Sequence, residues 1–289
     1  MRILLLPLLL LLASLTCFGF TYTPAQIKEL HQDAEQGDTE DEWKLGLKYS
    51  LGSGVPQDYT EALKWYRKSA EQGNAIAQNL LGGLYSHGKG VPENDTEAVK
   101  WYRKAAEQGV AEAQFNLGVM YDSGYGVPED DTEAVKWYRK AVEQGYASAQ
   151  YNLGVMYDNG YGVPEDNTEA VKWYRKAAEQ GLASAQYNLG EMYINGRGVP
   201  KDFTVAVKWY RKAAEQGLAD AQGALGAMYS HGIGVPEDDV VAYMWFNLAA
   251  AQGLEIFMVA KGLLSEEMTK EQIAEAQKLS REWMAKRQK

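Results

Sequence analysis

The residues of this chain that could carry out catalysis are few, and Ser86 and Lys89 form the most suggestive pair. The stretch "SHGK" matches the Ser-x-x-Lys spacing by which serine enzymes that react with penicillins place a nucleophile beside a lysine. That chemistry also needs Ser-Asp-Asn and Lys-Thr-Gly motifs, and the sequence contains neither. Gly88 and Gly90 put Lys89 in a connection and not on a helix one turn from the serine. We therefore predict no catalytic residue.

The histidines and the acidic runs do not form a metal-binding pattern. His87 and His231 recur at equivalent places in a repeated sequence but lie four repeats apart. Runs such as "PEDDTE" hold adjacent acids, whereas a calcium-binding EF-hand needs alternating acidic ligands, a central glycine and a distal glutamate. Adjacent acids before a helix are better explained as caps, because a helix N-terminus favours carboxylates. We expect no metal and no cofactor.

Charge and composition limit the partners. The chain of 289 residues has a formal net charge of −10, and 46% of its residues are hydrophobic. A surface that binds nucleic acid or an anionic membrane needs clustered lysine and arginine, so we expect neither partner. The apolar content is enough to bury a core.

The first residues, "MRILLLPLLLLLASLTCFGF", join one basic residue to a leucine run that is too short to span a bilayer. This pattern predicts a signal peptide over residues 1–19, cleaved after Gly19, and an exported protein that is periplasmic or secreted. The mature chain would then have no cysteine and no integral membrane segment. The alternative is a lipoprotein acylated at Cys17, although the preceding "SLT" matches a lipobox poorly.

A period of 36 residues organises the rest of the chain. Tryptophan, proline and a Leu-Gly pair all recur at this step, and six copies in register predict a solenoid. The tryptophans are Trp65, Trp101, Trp137, Trp173, Trp209 and Trp245, and the leucines are Leu45, Leu81, Leu117, Leu153, Leu189 and Leu225.

Each copy is predicted to form two helices, as residues 146–181 illustrate. Apolar residues recur on one helical face over about residues 147–159, and the helix should end at Gly160, where glycine permits positive φ. The second helix should begin near Asp166, with Glu169 as its capping-box partner. The predicted fold class is all-α, an α/α superhelical solenoid of antiparallel helix pairs with capping helices at its ends.

The predicted domains follow from this register. Residues 20–37 resemble a lone second helix with a Thr-x-x-Gln cap, six repeats occupy residues 38–253, and residues 254–289 form C-terminal capping helices. In the sixth repeat "KWYRK" becomes "MWFNL", so its outer face turns apolar and requires a cover. We expect the C-terminal segment to supply that cover, since terminal repeats of solenoids are atypical.

The pattern "AQYNLGVMYDNGYGVPEDNTEAVKWYRKAAEQG" resembles the Sel-1-like repeat, a relative of the tetratricopeptide repeat. The shared features are the Leu-Gly pair, the Gly-x-Gly-Val-Pro connection, the Ala-x-x-Trp and the closing Ala-Ala-Glu-Gln-Gly. The resemblance implies a non-enzymatic scaffold or adaptor that binds other proteins, often in the cell envelope or outside the cell. A cysteine-rich branch of the family, to which a β-lactam-related activity is attributed, carries a disulfide in each repeat, and this sequence lacks those cysteines.

Comparison among the six copies separates constant stacking positions from a variable stripe on the first helix. In related repeat pairs the first helices line the concave surface, so the stripe is a candidate peptide-binding groove in repeats three to five. Asparagine there could pair with the backbone of a bound peptide, or it could bond to its own scaffold. The candidate residues are Phe115, Asn116, Tyr151, Asn152, Val155, Tyr187, Asn188 and Glu191.

Two function classes follow. The first is an exported scaffold that binds a protein or peptide of unknown identity, which the resemblance and the missing catalytic motifs favour. The second is a hydrolase or binding protein directed at the cell wall or at β-lactams, which rests only on analogy with the cysteine-rich branch.

Overall fold

The computed structural model describes residues 23–287, so the predicted signal peptide and Cys17 lie outside the described residues. Within that range the fold is all-α, with fifteen helices and no strand. In chain order the helices are α1 Pro24–Gln36, α2 Thr39–Leu51, α3 Tyr59–Glu71, α4 Ala75–Ser86, α5 Asp95–Glu107, α6 Ala111–Ser123, α7 Asp131–Glu143, α8 Ala147–Asn159, α9 Asn167–Glu179, α10 Ala183–Asn195, α11 Phe203–Glu215, α12 Ala219–Ser230, α13 Asp239–Ala250, α14 Glu255–Glu267 and α15 Lys270–Arg287.

The helices divide between two compact units, which among the described residues are 23–146 and 147–287. Unit 1 holds α1–α7 and unit 2 holds α8–α15. Within each unit consecutive helices pack against one another as far as α13, which packs against both α14 and α15. Each unit is therefore a solenoid of helix pairs, as the period of the sequence predicts.

The second helices begin at side-chain caps, and Asp166 shows how. Its carboxylate accepts hydrogen bonds from the backbone N–H groups of Thr168, at 2.9 Å, and Glu169, at 3.0 Å. Glu169 was predicted to bond back to Asp166, but its carboxylate accepts instead from Trp173 Nε1, at 3.1 Å, and from Lys172. The predicted cap is correct, and the glutamate is directed along the helix because the lysine and the indole one turn later attract it.

The glycine of each Leu-Gly pair allows an aromatic residue of the second helix, a tyrosine in the first five repeats and Phe246 in the sixth, to pack against the backbone of the first. A Cβ atom at Gly154 would lie 2.7 Å from Cδ1 of Tyr174, and one at Gly118 would lie 2.6 Å from Cε1 of Tyr138. Real side chains do not approach so closely, so only glycine fits. Tyr174 then reaches Asp158 on the first helix, with its hydroxyl 3.3 Å from the carboxylate.

A glutamine pair ties the two helices of a repeat together. Gln180, which follows α9, donates from Nε2 to Oε1 of Gln150 on α8 at 2.8 Å. Gln216 makes the same bond to Gln186 at 2.8 Å, and Gln186 also donates to the carbonyl of Ala178 in the preceding repeat. This bond explains the glutamine of the closing "EQG". It gives the buried side-chain amide of the first-helix glutamine a hydrogen-bond partner, and a buried amide without a partner would lower stability.

The repeated tryptophans are buried or half-buried. Trp65, Trp137 and Trp245 are buried, whereas the other three are half-buried. The lysine three residues after each of the first five tryptophans places its ammonium over the indole ring. The closest is Lys140, 3.7 Å from the centroid of Trp137. Such cation–π contacts explain part of the constant "KWYRK" sequence.

The predicted N-terminal cap is present as α1. Thr23 and Gln26 form the expected reciprocal capping box. The helix then packs on the first repeat, where Tyr49 OH lies 3.1 Å from Nε2 of His31 and Lys68 donates to the carbonyl of Ala34 at 2.8 Å.

The predicted C-terminal cover is α15. It packs against α13, and Trp283 lies edge-on to Trp245 with 6.1 Å between ring centroids. Leu248, one of the apolar replacements in the sixth repeat, is buried in the cluster against which Trp283 packs. Thr269 and Gln272 form the reciprocal cap that the sequence predicts for this helix. In contrast, α14 contains no buried residue.

Candidate functional site

The predicted binding residues all belong to one variable stripe of the first helices. We call the positions aligned with Ser148, Tyr151, Asn152 and Val155 the first-helix stripe. Two of the predicted residues lie on α6 in unit 1, and six lie on α8 and α10 in unit 2. The two groups differ in burial.

On α6 of unit 1 the stripe is part of the core. Phe115 is 8% exposed and Asn116 is 5% exposed. The Phe115 ring lies 6.0 Å from that of Tyr138 and 5.3 Å from that of Tyr146. The large side chain of Tyr146 therefore covers Phe115, and both predicted residues present little surface to a peptide.

Asn116 belongs to a buried chain of polar groups. Its Nδ2 donates to Oδ1 of Asn79 at 3.3 Å, and Nδ2 of Asn79 donates to Oε2 of Glu112 at 3.0 Å. Oδ1 of Asn116 is buried and accepts no hydrogen bond. These amides link α4 to α6, so Asn116 joins two repeats of its own scaffold.

The environment of Glu112 disfavours a charge. Burial raises the pKa of its carboxyl to about 7, and the hydrogen bond from Asn79 offsets only part of that rise. A buried carboxylate loses its hydration, which favours the neutral form. Near neutral pH the group is therefore partly protonated.

In unit 2 the stripe is half-buried and aromatic. Tyr151 on α8 packs against Tyr174 with 5.8 Å between ring centroids, and Tyr187 on α10 packs against Tyr210 at 5.6 Å. Each stripe tyrosine thus rests on a buried tyrosine of its own second helix. A ring supported in this way keeps part of its surface available while its orientation is fixed.

Polar side chains lie among these rings. The Asn188 side chain interacts with the hydroxyls of Tyr151 and Tyr174 and offsets part of the rise in their pKa that burial causes. The Glu191 carboxylate accepts a hydrogen bond from the hydroxyl of Tyr210. Burial raises the pKa of Tyr187 to about 12, and the negative charges of Glu191 and Asp220 add to the rise. Tyrosine hydroxyls here stay protonated and can donate.

The remaining predicted residues complete the stripe on α8. Asn152 and Val155 are half-buried, and Val155 packs against the cluster that contains Leu189 and Met192. Six of the eight predicted residues therefore lie on two neighbouring first helices of unit 2, and their role in binding stays a prediction.

Sequence reasoning missed the groups that support the stripe. Tyr174, Tyr210, Asn79 and Glu112 are not among the predicted residues. Alignment of the repeats contains the signal, because Asn79 occupies the position of Phe115 and Glu112 occupies the position of Ser148.

Ser86 and Lys89 do not resemble a nucleophile and its base. Oγ of Ser86 is 2.9 Å from Nδ1 of His87 and 3.4 Å from the hydroxyl of Tyr102. The Lys89 ammonium lies 5.0 Å from the centroid of the Tyr59 ring. Ser86 is the last residue of α4, and its hydroxyl serves the helix end.

Neither a membrane span nor a metal-binding cluster occurs between residues 23 and 287. No helix in that range combines the length and apolar character needed to cross a membrane. The same range holds no group of three or more histidine, cysteine, aspartate or glutamate side chains that could bind a metal ion.

A family model and a solved structure both relate this chain to the same protein family. Sel1 repeats match six times, at residues 40–74, 75–110, 111–146, 147–182, 183–218 and 219–254. A Sel1 repeat protein from Oxalobacter formigenes, known from its crystal structure, is 40% identical, with a TM-score of 0.75 over 84% of this chain and 70% of that chain. No curated protein matches the chain.

Two further solved structures are similar in sequence. A protective antigen of uropathogenic Escherichia coli with an SLR fold is 33% identical over 91% of this chain and 72% of that chain, with a TM-score of 0.41. Helicobacter pylori cysteine rich protein B is 28% identical over 46% of this chain and 96% of that chain, with a TM-score of 0.38. Sel1 repeat proteins generally mediate protein–protein interactions and are typically not enzymes. With six matching repeats over most of the described residues, this chain belongs to the Sel1 repeat family.

Proposed function

We propose that this protein is an exported scaffold that binds a protein or peptide through the first-helix stripe of unit 2. One observation carries the proposal: Tyr151, Tyr187, Asn188 and Glu191 form a half-buried aromatic and polar row at positions that vary between repeats. The stacking positions beside them, such as Leu189, do not vary. Variation confined to one face is what a binding surface on a constant scaffold requires.

The chemistry of the row suits a peptide. Tyrosine offers a large, rigid contact area and a hydroxyl, and it loses little conformational entropy on binding. Tyr151 packs on Tyr174 and Tyr187 packs on Tyr210, so the rings are oriented before a partner arrives. Such preorganisation improves affinity because less order is imposed by binding.

Site-specific photocrosslinking tests this proposal. A benzophenone amino acid is placed at Tyr187, on the stripe, and in a matched control at Lys172, exposed on the second helix α9. The variants are expressed in the source organism and irradiated. We expect a discrete crosslinked partner from position 187 and none from position 172. Equal crosslinking from both positions, or crosslinking from 172 alone, contradicts the proposal.

The export step is tested separately. The leucine run that follows Arg2, with small residues at Cys17 and Gly19, supports a cleaved signal peptide. We expect N-terminal sequencing of the exported protein to begin at Phe20. A form that begins at Met1 contradicts export by cleavage, and a lipid on Cys17 identifies the lipoprotein instead.

A further inference from the structure

The first-helix stripe of unit 2 continues onto α14. This helix begins at Glu255, one period of 36 residues after Ala219, where α12 begins. It also packs on the preceding second helix, α13, just as α12 packs on α11. By this register the stripe positions of α14 hold Ile256, Val259 and Leu263.

The orientation of α14 is set by packing on its opposite side. The ring of Phe257 fills the space above Gly223, where a Cβ atom would lie 2.0 Å from Cζ of that ring, and stacks at 6.3 Å on Phe246. Nζ of Lys261 donates to Oδ1 of Asn247 on α13 at 3.1 Å. The helix therefore cannot turn to bury its stripe positions.

The apolar stripe of α14 is left uncovered. Every other first helix of unit 2 packs against its own second helix, but α15 packs against α13 instead. Ile256 is consequently 70% exposed, and Val259 and Leu263 are each 62% exposed. Aliphatic side chains that follow one face of a fixed helix are a feature of docking surfaces.

The neighbouring part of the stripe is acidic. Glu191 lies one helical turn after Tyr187 on α10, where its carboxylate accepts a hydrogen bond from Tyr210, and the exposed Asp220 holds a stripe position on the next first helix, α12. Both carboxylates also raise the pKa of Tyr187. Within residues 23–287, no lysine or arginine forms an ion pair with either carboxylate, although ion pairs occur elsewhere in unit 2. On α12 the stripe positions also hold Gly223 and Ala227, and the Phe257 ring of α14 occupies the space above Gly223, so the acidic and apolar parts of the stripe meet at this aromatic ring.

We propose that the stripe of unit 2 binds a peptide segment in which a lysine or arginine is followed or preceded by an aliphatic or aromatic residue. The basic group pairs with Glu191 and Asp220 beside Tyr187, and the apolar residue covers Ile256, Val259 and Leu263. This inference rests on the proposed function and specifies its ligand. An acidic subsite beside an apolar one also fixes the register of the bound segment, because each subsite accepts a different side chain of the peptide.

The expected spacing follows from helix geometry. Packed helices lie about 8–10 Å apart, and an extended peptide advances about 3.3 Å per residue. One repeat step therefore corresponds to about three peptide residues. The basic and apolar anchors should lie about three residues apart if they contact adjacent first helices, α12 and α14.

Other occupants fit less well. An anionic lipid surface would be repelled by Glu191 and Asp220. A second copy of this chain would bury a few side chains of α14, whereas a stable dimer buries about 800 Å² on each partner. Binding of a membrane and formation of a dimer are both distinguished from peptide binding by the experiment below.

The experiment selects ligands without presuming their identity. A random dodecapeptide phage library is panned on the immobilised full chain, and an enriched peptide is synthesised with a fluorescent label. We expect enrichment of lysine or arginine together with leucine, isoleucine or phenylalanine about three positions away. Two double variants test the two subsites, and each should weaken binding about tenfold. The carboxylate variant combines Glu191→Gln with Asp220→Asn, and the apolar variant combines Val259→Ser with Leu263→Ser. Added salt should weaken binding to the parent and leave the carboxylate variant unaffected.

The controls are matched in type. Glu179→Gln with Glu215→Gln removes two exposed acids from the second helices, and Met284→Ser removes an exposed apolar side chain from α15. Neither should change the affinity. The amide introduced by Glu191→Gln retains an oxygen that accepts from Tyr210, so the carboxylate variant should keep its melting temperature.

Three results would overturn the inference. Peptides enriched without a basic residue, or bound by both stripe variants as tightly as by the parent, exclude the proposed ligand but leave the scaffold function intact if position 187 still crosslinks a partner. Binding to anionic vesicles that Leu263→Ser abolishes assigns the face to a membrane. A dimer that Leu263→Ser dissociates assigns it to a second copy. Loss of crosslinking at position 187 would remove the proposed function as well.

Discussion

Nδ2 of Asn116 donates a hydrogen bond to Oδ1 of Asn79 over 3.3 Å inside unit 1. The two amides belong to neighbouring repeats, and each lies on a first helix at a position that the sequence assigns to a peptide-binding stripe. Their bond shows that one stripe performs different tasks in the two units. Between α4 and α6 it stabilises the contact between repeats, and on α8 and α10 it stays half-buried.

The three repeated asparagines can be tested together by the triple change Asn116→Ala, Asn152→Ala and Asn188→Ala. We expect lower stability by at least about 1 kcal/mol, because Oδ1 of Asn79 loses its buried hydrogen-bond donor. Partner capture and the melting temperature are measured on the same samples. Ser148→Ala, at another stripe position, is the control. Lost capture at unchanged stability would show instead that the asparagines contact the partner directly.

Glu112 makes the stability of unit 1 depend on pH. Its pKa is raised from 4.5 to about 7 by burial, so the folded state binds a proton more tightly than the unfolded state. The free energy of unfolding should therefore fall as the pH rises from about 4.5 through about 7, by up to about 3 kcal/mol. Below that window both states are protonated, and the contribution of Glu112 no longer changes.

Glu112→Gln isolates this effect. The amide still offers an oxygen to Asn79 but cannot ionise, so the variant should be more stable than the parent at pH values above the window and should match it more closely at acidic pH. Urea unfolding across the pH range measures the difference. Glu107→Gln, at an exposed site, should show no such divergence. Parallel curves for the parent and Glu112→Gln would show that the carboxyl titrates normally.

Trp137 anchors the core of unit 1. It is 7% exposed and packs with Ala105, Leu117 and Met120. Trp137→Ala should cost about 3–5 kcal/mol, since it leaves a large cavity in a packed core. Thermal unfolding should show a greater loss of melting temperature than Asn152→Ala produces. Equal melting temperatures for the two variants would refute the structural role of the tryptophan.

Two glycines within helices should respond oppositely to alanine. At Gly154 the new methyl group would lie 2.7 Å from the Tyr174 ring, so Gly154→Ala should destabilise unit 2. At Gly262 in α14 nothing lies within 4 Å, so Gly262→Ala should stabilise the helix by about 0.5–1 kcal/mol through helix propensity. Chemical denaturation of both variants measures the contrast. A stabilising Gly154→Ala would mean that the tyrosine ring moves aside without cost.

The sequence by itself determined the architecture, because its period of 36 residues repeats the local signals that begin and end each helix. The first helix predicted over residues 147–159 is α8 with those bounds, and Asp166 caps the next helix as predicted. Capping and glycine signals act within a few residues, so they can be read without knowledge of distant contacts. The replacement of "KWYRK" by "MWFNL" in the sixth repeat likewise predicted that the C-terminal segment covers the outer face of that repeat, and α15 packs there.

Only the tertiary structure decided which stripe residues are accessible. Phe115 and Tyr151 occupy the same repeat position, yet Phe115 is buried because Tyr146 packs on it, while Tyr151 stays half-buried. The same holds for α14, whose aliphatic residues suggested a covering helix, although α15 packs on α13 and leaves them exposed. Burial depends on the side chains that neighbouring helices contribute, and a repeat register specifies the position of a residue without specifying what covers it.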